Sequence, residues 1–577
     1  MLFRRGPDMS KSMSVNEAVA RFVRPGMRLH TLQTGLRWPT AAMHAVARQF
    51  WGQNPAFELI AFSANHPHAV WVEGGLVKKV ISSYCGEPYR TPGPNPAFQR
   101  AWKDGRVELE MWSILTLPLR LKAAAQGLPW LPTRSLLGSS METDNADALT
   151  IVDDPDGQGR VALVHALYPD VSLVHAWMAD ELGNAVFGYP QAENAYGALA
   201  AREGAIVTAE HIVDSATLRR HAHLVQLPGD YVRAVCPSPW GAHPGGMSCA
   251  GVPEFTGYAE DYDFVDDARK AGADAQTLRA WIDEWVLGCD DPQAYAENLG
   301  QARRQRLRQR AKNDAAQLSR DLPDAADTPP NAVERMLCAA ASLIRERVVA
   351  AGHTSLLAGA GQANLAAWVA HRALAGSERA FQLMAEVGLY GYTPAEGDPA
   401  VFNQANYFSC TTLTDTHRLM GIHMAGAQAR CLGVMGFGQI DARGNINTTL
   451  IPGKLLIAGS GGANDIASNA RELLVVGRLS PKRCIEEVPY ITSPGHRVNT
   501  LVTDHGVFEK DPATGRLRLT RLLHDDSGTS DELRVSAIRQ ACGFSFETAP
   551  ELQQLEAPSA ESLAQLRRFD PNRWFLD

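Results

Sequence analysis

Short aliphatic and β-branched runs alternate along the chain with longer alanine- and leucine-rich stretches. Residues 277–287 and 364–374 carry apolar side chains at helical spacing. Four short segments lack charged residues and have the continuous apolarity of parallel strands that are covered on both faces: 161–164, 205–209, 473–476 and 501–503. Alternation of strands and helices predicts an α/β fold with largely parallel sheets.

One stretch interrupts this alternation. Residues 301–310 are dense in arginine, and residues 316–332 are rich in Asp and Ala and end near a Pro-Pro pair. We interpret the arginine segment as the solvated end of a helix, with an anion site as the alternative, and the second stretch as a linker. The predicted parts are a larger α/β domain (1–315), a linker (316–332) and a smaller α/β domain (333–577).

The two predicted domains share a turn sequence. Asp-x-x-Gly-Asn occurs at Asp180–Asn184 after an apolar strand, and again at Asp441–Asn445 after another. The pattern is turn chemistry, because glycine supplies a positive φ and Asp bonds to the following backbone. Its recurrence at similar depth in both halves favours duplication, so we predict two tandem, related, open α/β domains.

Composition narrows the function classes. Of the 577 residues, 45% are hydrophobic and 20% are charged, and the net charge is −8, which argues against a nucleic-acid partner. No apolar stretch is long enough to span a bilayer, and no secretory signal is visible. The nine cysteines are scattered without a Cys-x-x-Cys pair, so we expect reduced thiols and a cytoplasmic protein.

Glycine-rich loops follow three apolar runs in the second half. Each predicts a strand end where backbone can approach a ligand closely, although a single loop of this kind is equally typical of a plain turn. None has the complete spacing of a nucleotide-binding fingerprint. The candidate binding residues in and beside these loops are Gly359, Gly361, Gly436, Gly438, Gly459, Gly461, Gly462 and Asn464.

A carboxylate is the main candidate for chemistry. Glu386 ends an apolar run, and Gly388 follows two residues later. The side chain fits two roles: a strand-edge carboxylate facing water, or a nucleophile aimed into a pocket. His243, in Gly-Ala-His-Pro, is a lone histidine that fits a structural role or a catalytic one. With no second ligand at a suitable spacing, we predict no metal site.

Longer motifs occur in the second half at residues 385–389, 438–449, 459–467, 491–495 and 501–507, and in the first half at residues 123–132, 170–176, 206–213 and 240–244. They resemble the family I CoA-transferases, in particular glutaconate CoA-transferase with its two subunits fused in one chain. The second-half motifs match the smaller of these subunits, and the first-half motifs match the larger one. The resemblance implies that Glu386 is the nucleophile and that the glycines above, with Gly388, bind substrate. It also implies that coenzyme A (CoA) is a co-substrate rather than a permanently bound cofactor.

The implied partners are an acyl-CoA and a carboxylic acid acceptor, and a homo-oligomer is possible. Two departures from the family pattern leave alternatives open. Val387 replaces a serine, and the first-half loop reads His30-Thr-Leu-Gln-Thr-Gly35 instead of containing Gly-Gly-Phe, which affects a predicted oxyanion hole. The alternatives are a thioester or C–C hydrolase, with Glu110 as a candidate acid or base, and a catalytically silent acyl-CoA-binding protein.

The domain division predicts a protease-sensitive segment. Limited proteolysis should cut first between residues 315 and 332 and leave two fragments that co-elute on gel filtration, because linker backbone is more accessible than packed strands. Early cleavage elsewhere, or fragments that separate, would contradict the division.

Overall fold

Two large β-sheets organise the protein. The structure is a computed structural model that describes residues 10–88, 91–157, 159–248, 252, 255–312, 322 and 328–577. An eight-stranded sheet is built from the first half, and a ten-stranded sheet from the second. Among the described residues, no strand belongs to both sheets.

The described residues of the first half form thirteen strands, of which eight make up the large sheet in the order β13-β12-β10-β1-β2-β3-β6, with β11 beside β10. Its neighbouring strands are parallel except for the β10–β11 pair. The strands are β1 (Arg28–Thr31), β2 (Phe57–Ala61), β3 (Val77–Ser82), β4 (Gly86–Glu87), β5 (Gly93–Pro94), β6 (Glu108–Met111), β7 (Trp130–Thr133), β8 (Leu149–Asp153), β9 (Arg160–His165), β10 (Val171–Asp180), β11 (Ala185–Val186), β12 (Ala205–Val213) and β13 (Val232–Pro237).

Helices cover this sheet, and several begin at an Asp, Asn or Ser whose side chain accepts a backbone N–H bond. They are α1 (Val15–Phe22), α2 (Thr40–Phe50), α3 (His66–Glu73), α4 (Pro96–Lys103), α5 (Thr116–Ala125), α6 (Ser140–Asp144), α7 (Tyr196–Ala200), α8 (Ser215–Arg220), α9 (Tyr262–Gly272), α10 (Ala275–Ile282), α11 (Pro292–Asn298) and α12 (Gln301–Lys312).

The second half has a mixed sheet in the order β17-β16-β15-β14-β18-β23-β24-β25-β26-β27. Its strands and two small hairpins are β14 (Ser355–Ala358), β15 (Gln382–Ala385), β16 (Leu389–Tyr390), β17 (Thr412–Leu413), β18 (Cys431–Met435), β19 (Gln439–Ile440), β20 (Ile446–Asn447), β21 (Leu450–Ile451), β22 (Leu455–Leu456), β23 (Glu472–Val476), β24 (Val498–Val502), β25 (Gly506–Lys510), β26 (Leu517–Leu522) and β27 (Thr548–Gln554). Its helices are α13 (Ala332–Ala351), α14 (Gln362–Leu374), α15 (Gln404–Tyr407), α16 (Thr416–Arg418), α17 (Ala463–Asn469), α18 (Asp531–Ala541) and α19 (Ala560–Phe569).

The two sheets repeat one topology. In the first, β13-β12-β10-β1-β2 are parallel neighbours, and in the second β24-β23-β18-β14-β15 are parallel neighbours. In both halves the first strand is central, the second lies on one side, and three later strands follow in chain order on the other. The predicted fold class of two tandem, related α/β domains with largely parallel sheets is confirmed.

The shared turn has the same geometry in each half. The backbone N–H of Asn184 donates to Asp180, and that of Asn445 donates to Asp441, each at 2.9 Å. Each asparagine then accepts a backbone N–H from a glycine that opens a short 3₁₀ turn, Gly229 at 3.0 Å and Gly495 at 2.8 Å. The same hydrogen bonds therefore join the shared turn to the 3₁₀ turn before β13 and before β24, which supports the interpretation of a duplication.

Both halves contribute to one apolar core. Trp112 and Leu115 of the first half are buried in the same cluster as Met420 and Ile466 of the second. Burial of side chains of this size contributes roughly 1.5–3 kcal/mol each, so the halves are held together by more than the chain that joins them. The exact boundaries 1–315 and 333–577 stay a prediction, because most of the predicted linker lies outside the described residues.

Several local expectations need correction. Residues 161–164 form β9, but β9 belongs to a three-stranded antiparallel sheet with β7 and β8 and is not covered on both faces. The glycine loop at 459–462 follows the β21–β22 hairpin rather than a strand of the large sheet.

Residues 277–287 are helical, with the last turn as a π-helix. None of the helices described above combines the length and the apolar character needed to span a bilayer.

Candidate active site

Glu386 lies in a tight hairpin at the carboxyl end of β15. Gly388 has φ +114°, and a Cβ there would lie 2.1 Å from the carbonyl oxygen of Thr414, so only glycine fits. The hydroxyl of Thr416 donates to the carbonyl of Glu386 at 2.7 Å. The half-buried carboxylate therefore projects from a backbone that is fixed on both sides.

The glycine loop of residues 459–462 packs directly against this carboxylate. A Cβ on Gly462 would lie 2.0 Å from Oε2 of Glu386, and the backbone N–H of Gly462 donates to the Glu386 carboxylate. Gly461 donates to the carbonyl of Ser83 at 2.9 Å and accepts from Ile114 at 2.9 Å. First-half backbone therefore holds the loop against Glu386, and the site lies where the two halves meet.

Asp465 is a second buried carboxylate beside this loop. It accepts a hydrogen bond from the Ser113 hydroxyl at 2.6 Å and from the Leu115 backbone N–H at 3.1 Å, both in the first half. Burial raises the pKa of Asp465 to about 6, and these bonds oppose the shift. Sequence analysis missed Asp465, although it stands in the Gly-Ser-Gly-Gly-Ala-Asn-Asp block as an acid in an otherwise uncharged segment.

The pKa of Glu386 is raised to about 7, first by burial and second by the negative charge of Asp465, while the Gly462 N–H bond opposes both. A carboxyl with such a pKa retains a proton near neutral pH and is a stronger base than an ordinary glutamate once it ionises. Perturbed carboxyls in a cleft are typical of functional sites.

Asn464 and the other glycine candidates have different surroundings. Asn464 accepts from the Leu136 N–H at 2.8 Å and donates to the Thr492 carbonyl at 2.9 Å, so its side chain joins the two halves. The nearest described neighbours of the remaining candidates do not include Glu386: Gly359 lies beside Met435, Gly361 beside Phe575, Gly436 beside Val476, Gly438 beside Asn447 and Gly459 beside Met111. The structure thus brings Gly462 against Glu386, with Gly461 beside it in the loop and Gly388 two residues after Glu386 in the chain.

Glu110 and His243 both have filled hydrogen-bonding positions. The Glu110 carboxylate contacts Lys79 at 2.8 Å, Arg120 at 2.8 Å and the Trp112 indole N–H at 2.7 Å. The pKa of Glu110 is lowered because these donors outweigh its burial. Such a carboxylate is a poor proton acceptor.

His243 lies away from the glycine loop, in a buried aromatic cluster. Its Nδ1 is 2.7 Å from the Tyr295 hydroxyl, and its Nε2 is 3.1 Å from Asp261. Burial lowers its pKa despite Asp261. These contacts fix the orientation of a neutral imidazole. They favour a structural role for His243 over proton transfer at the Glu386 site.

The first-half loop at residues 30–35 is occupied by a buried glutamate. Glu193 accepts the Gln33 backbone N–H at 2.5 Å and contacts Nε2 of His30 at 3.0 Å. Next to it, the Ala192 N–H donates to the Val387 carbonyl at 3.1 Å. The Gln33 N–H is thus already bonded to Glu193, and the segment that carries Glu193 also contacts the Glu386 hairpin through Ala192. The sequence around Glu193 carries no motif that marks this residue.

Fold and site together define an α/β protein with duplicated halves and a perturbed carboxylate at their junction. Residues 12–237 match the family model for coenzyme A transferase. One subunit of 3-oxoadipate CoA-transferase from Pseudomonas knackmussii is 28% identical over 51% of this chain and 100% of its own length. The other subunit of that enzyme also matches, at 26% identity over 24% of this chain and 58% of its own length. One subunit of glutaconate CoA-transferase from Acidaminococcus fermentans is 27% identical over 51% of this chain and 93% of its own length.

The acyl-CoA transferase of Escherichia coli O157:H7 has the same fold, with a TM-score of 0.66 at 18% identity over 97% of this chain and 98% of its own. Most of the first half therefore resembles the coenzyme A transferases, and at 577 residues the chain is about twice the length of the 3-oxoadipate CoA-transferase subunit that it covers completely. Sequence similar to both kinds of subunit is therefore present in one polypeptide.

The raised pKa of Glu386 predicts a pH-dependent cost to stability. A glutamate in the unfolded chain ionises near pH 4.3, whereas folded Glu386 ionises near pH 7. The free energy of unfolding therefore falls as the pH rises between these values. Glu386→Gln should therefore raise the thermal unfolding midpoint at pH 8, by the equivalent of about 1–3 kcal/mol, and change it little at pH 4.

Differential scanning calorimetry at the two pH values measures this difference. Glu378→Gln, at an exposed glutamate nearby in the sequence, is the control and should show no such pH dependence. A midpoint for Glu386→Gln below that of the wild type at pH 8 would contradict the electrostatic description.

Proposed function

We propose that the protein transfers CoA between carboxylic acids through a covalent intermediate on Glu386. The observation that carries the proposal is the Glu386 carboxylate, held at the junction of the halves by a glycine hairpin and contacted by the Gly462 N–H. A carboxylate needs no partner base to attack a thioester. The names of the relatives, which are CoA-transferases of different acids, support this reaction class.

The steps follow from that placement. An oxygen of ionised Glu386 attacks the thioester carbon, and the CoA thiolate leaves as an acyl-glutamyl anhydride forms. The thiolate then attacks the glutamyl carbonyl, which releases the first acid and leaves CoA on Glu386 as a thioester. The acceptor carboxylate attacks this thioester, and the same two steps run in reverse. No resident cofactor is required.

Three features of the chain assist these steps. The Gly462 N–H is placed to stabilise negative charge on a Glu386 oxygen. Asp465 raises the basicity of Glu386 through its charge. Burial at the junction limits water, which would otherwise hydrolyse the anhydride and the thioester. We infer that substrate CoA reaches Glu386 beside Gly461 and Gly462, whereas the other glycines act as turn residues.

The cysteines support a cytoplasmic setting for this chemistry. The eight described cysteines are all free, and burial raises the pKa of each of them, for example Cys85 and Cys431 to about 12. Thiols with a raised pKa are poorly reactive, which fits the proposal of a cytoplasmic protein with reduced cysteines. A homo-oligomer stays a prediction of the sequence.

Trapping experiments test the role of Glu386. Incubation with an acyl-CoA but no acceptor acid should leave CoA on the enzyme as a thioester, and borohydride reduction followed by peptide mapping should locate it at residue 386. Glu386→Gln should abolish turnover while retaining acyl-CoA binding. Glu386→Asp should lower the rate by about 10²-fold or more, because the carboxylate withdraws by roughly 1 Å.

Dependence on the acceptor separates the alternatives. A transferase forms the CoA ester of the acceptor, together with the free donor acid, only when an acceptor acid is present, and it releases no net CoA thiol. A hydrolase releases free CoA and the acid without an acceptor, and a silent binder does neither. Full turnover by Glu386→Gln would move the chemistry elsewhere and refute the proposal.

The charge of Asp465 should set the acidic limb of the pH profile. Asp465→Asn removes the negative neighbour, so the pKa of Glu386 should fall and single-turnover formation of the trapped thioester should extend to lower pH. Ser113→Ala removes a bond that favours the ionised form of Asp465, so it should shift the limb in the same direction by less. An unchanged limb in Asp465→Asn would show that the two carboxyls are not coupled.

A further inference from the structure

Residues 191–194 of the first half lie beside the Glu386 hairpin, and we call them the junction segment. Ala192 in this segment has two hydrogen-bonded connections to the hairpin. Its backbone N–H donates to the carbonyl of Val387 at 3.1 Å. Its carbonyl accepts the backbone N–H of Thr416 at 2.8 Å, and the Thr416 hydroxyl donates to the Glu386 carbonyl at 2.7 Å. A displacement of Ala192 would therefore move the backbone that carries the Glu386 carboxylate.

The junction segment has an unfavourable backbone conformation. The φ angles of Ala192 and Asn194 are +45° and +65°, in the left-handed region. A residue with a Cβ keeps such a conformation only where surrounding contacts fix it, although asparagine tolerates it better than alanine. The Gln191 N–H donates to the Thr414 carbonyl at 2.9 Å, and the Asn194 side-chain amide donates to the Asp415 carboxylate at 2.6 Å. The second half thus fixes the segment from one side.

Glu193 fixes the junction segment from the other side, because it connects the segment to the central strand of the first sheet. Its carboxylate is completely buried and accepts the backbone N–H of Gln33 at 2.5 Å, and its other oxygen lies 3.0 Å from Nε2 of His30. His30 belongs to β1, and its Nδ1 lies 2.8 Å from the Ser172 hydroxyl on β10. A buried carboxylate is costly unless donors surround it, so these partners hold Glu193 at the end of β1.

Glu193 has no direct access to a substrate. Its side chain is inaccessible to solvent, and each of its oxygens already has a hydrogen-bond partner. Its chain neighbour Ala192, however, is bonded to the Glu386 hairpin through both its N–H and its carbonyl. The connection from Glu193 to Glu386 therefore runs through the backbone.

We propose that Glu193 is a positioning residue for the transfer reaction, because it orients the Glu386 carboxylate by holding the junction segment against the end of β1. The inference rests on the proposed function, since it assumes that Glu386 attacks the thioester. A displacement of the attacking oxygen by about 1 Å lowers the rate strongly, whereas the affinity for acyl-CoA depends on many other contacts. Loss of Glu193 should therefore lower the rate constant of the covalent step more than the affinity.

A second pair in the first half has the same arrangement but no connection to the hairpin. One carboxylate oxygen of Glu210 lies 3.0 Å from Nε2 of His175, and the other accepts the Trp240 backbone N–H at 2.9 Å. Nδ1 of His175 lies 2.9 Å from the Thr208 hydroxyl. Within the described part of the chain, no hydrogen bond or ion pair of Glu210 reaches the Glu386 hairpin. Glu210 is therefore a matched control for Glu193.

The test measures how fast the CoA thioester forms on Glu386 when acyl-CoA is in excess and no acceptor acid is present. Glu193→Leu keeps a side chain of similar volume but removes both hydrogen-bond acceptors. It should lower the limiting first-order rate constant by about 10- to 100-fold and leave the acyl-CoA concentration at half-saturation nearly unchanged. A first-order rate constant does not depend on the fraction of enzyme that is folded, so a loss of stability alone does not produce this result.

Glu193→Gln is the conservative variant. Its amide oxygen can accept the Gln33 N–H, and its amide N–H can donate to Nε2 of His30 when the ring proton is on Nδ1 and is donated to Ser172. Both connections then survive without the negative charge, so this variant should retain most of the wild-type rate constant. A rate constant as low as that of Glu193→Leu would show that the charge matters rather than the position, and would overturn the proposal.

Glu210→Leu should lower the thermal unfolding midpoint but leave the rate constant unchanged. An equal loss of rate in Glu210→Leu would overturn the proposal, as would a Glu193→Leu variant that differs from the wild type only in half-saturation. If Glu193→Leu does not fold, His30→Asn tests the same connection. It removes one of the two donors to Glu193 and should lower the rate constant by less, and an unchanged rate constant would refute the role of Glu193.

The proposed function is judged on the wild type. If the wild type forms no thioester at Glu386, the proposed function fails, and the role of Glu193 fails with it. If the wild type forms the thioester and Glu193→Leu forms it at the same rate, only the role of Glu193 is refuted.

Discussion

The hydrogen bonds from Ser113 and Leu115 to Asp465 connect the two halves at the point where chemistry is expected. A buried carboxylate is costly unless donors surround it, and here the donors come from the other half of the chain. The glycine loop is fixed by the same first-half segment, and Glu386 packs on that loop. The position and basicity of Glu386 therefore depend on how the halves are docked, not only on its own hairpin.

Duplication explains why such a junction exists. In both halves the first strand is central. The Asp-x-x-Gly-Asn turn of each half is hydrogen-bonded in the same way to the glycine that opens the 3₁₀ turn before β13 or β24. In open α/β sheets, ligands bind at the carboxyl ends of the strands. Glu386 follows β15 at such an end, and the first half contributes loops that follow β3 and β6, so strand ends of both sheets meet at the candidate site.

The sequence was informative where local chemistry has one structural solution. Asp-x-x-Gly-Asn predicted the repeated turn, apolar runs predicted most central strands, and an acid before a glycine identified Glu386 as a candidate. Asp465 and Glu193 escaped notice because their partners are distant along the chain: Ser113 is 352 positions from Asp465, and Gln33 is 160 from Glu193. The neighbouring sequence of a carboxylate that is buried against such distant partners does not differ from that of a carboxylate that faces water. Likewise, a glycine in a turn and a glycine against a ligand have the same sequence pattern, which is why Gly359 and Gly436 were grouped with Gly462.

Because both halves belong to one polypeptide, the contact between Ala192 and Val387 forms without the association of separate chains. In an enzyme made of two separate polypeptides, that contact forms only after the polypeptides associate. At low concentration they dissociate, and the junction between them is lost. In one chain the partner segment is tethered, and its effective concentration is set by the connecting polypeptide rather than by expression level. Each molecule also carries the two halves in a fixed one-to-one ratio, so neither is left with its half of the junction unpaired.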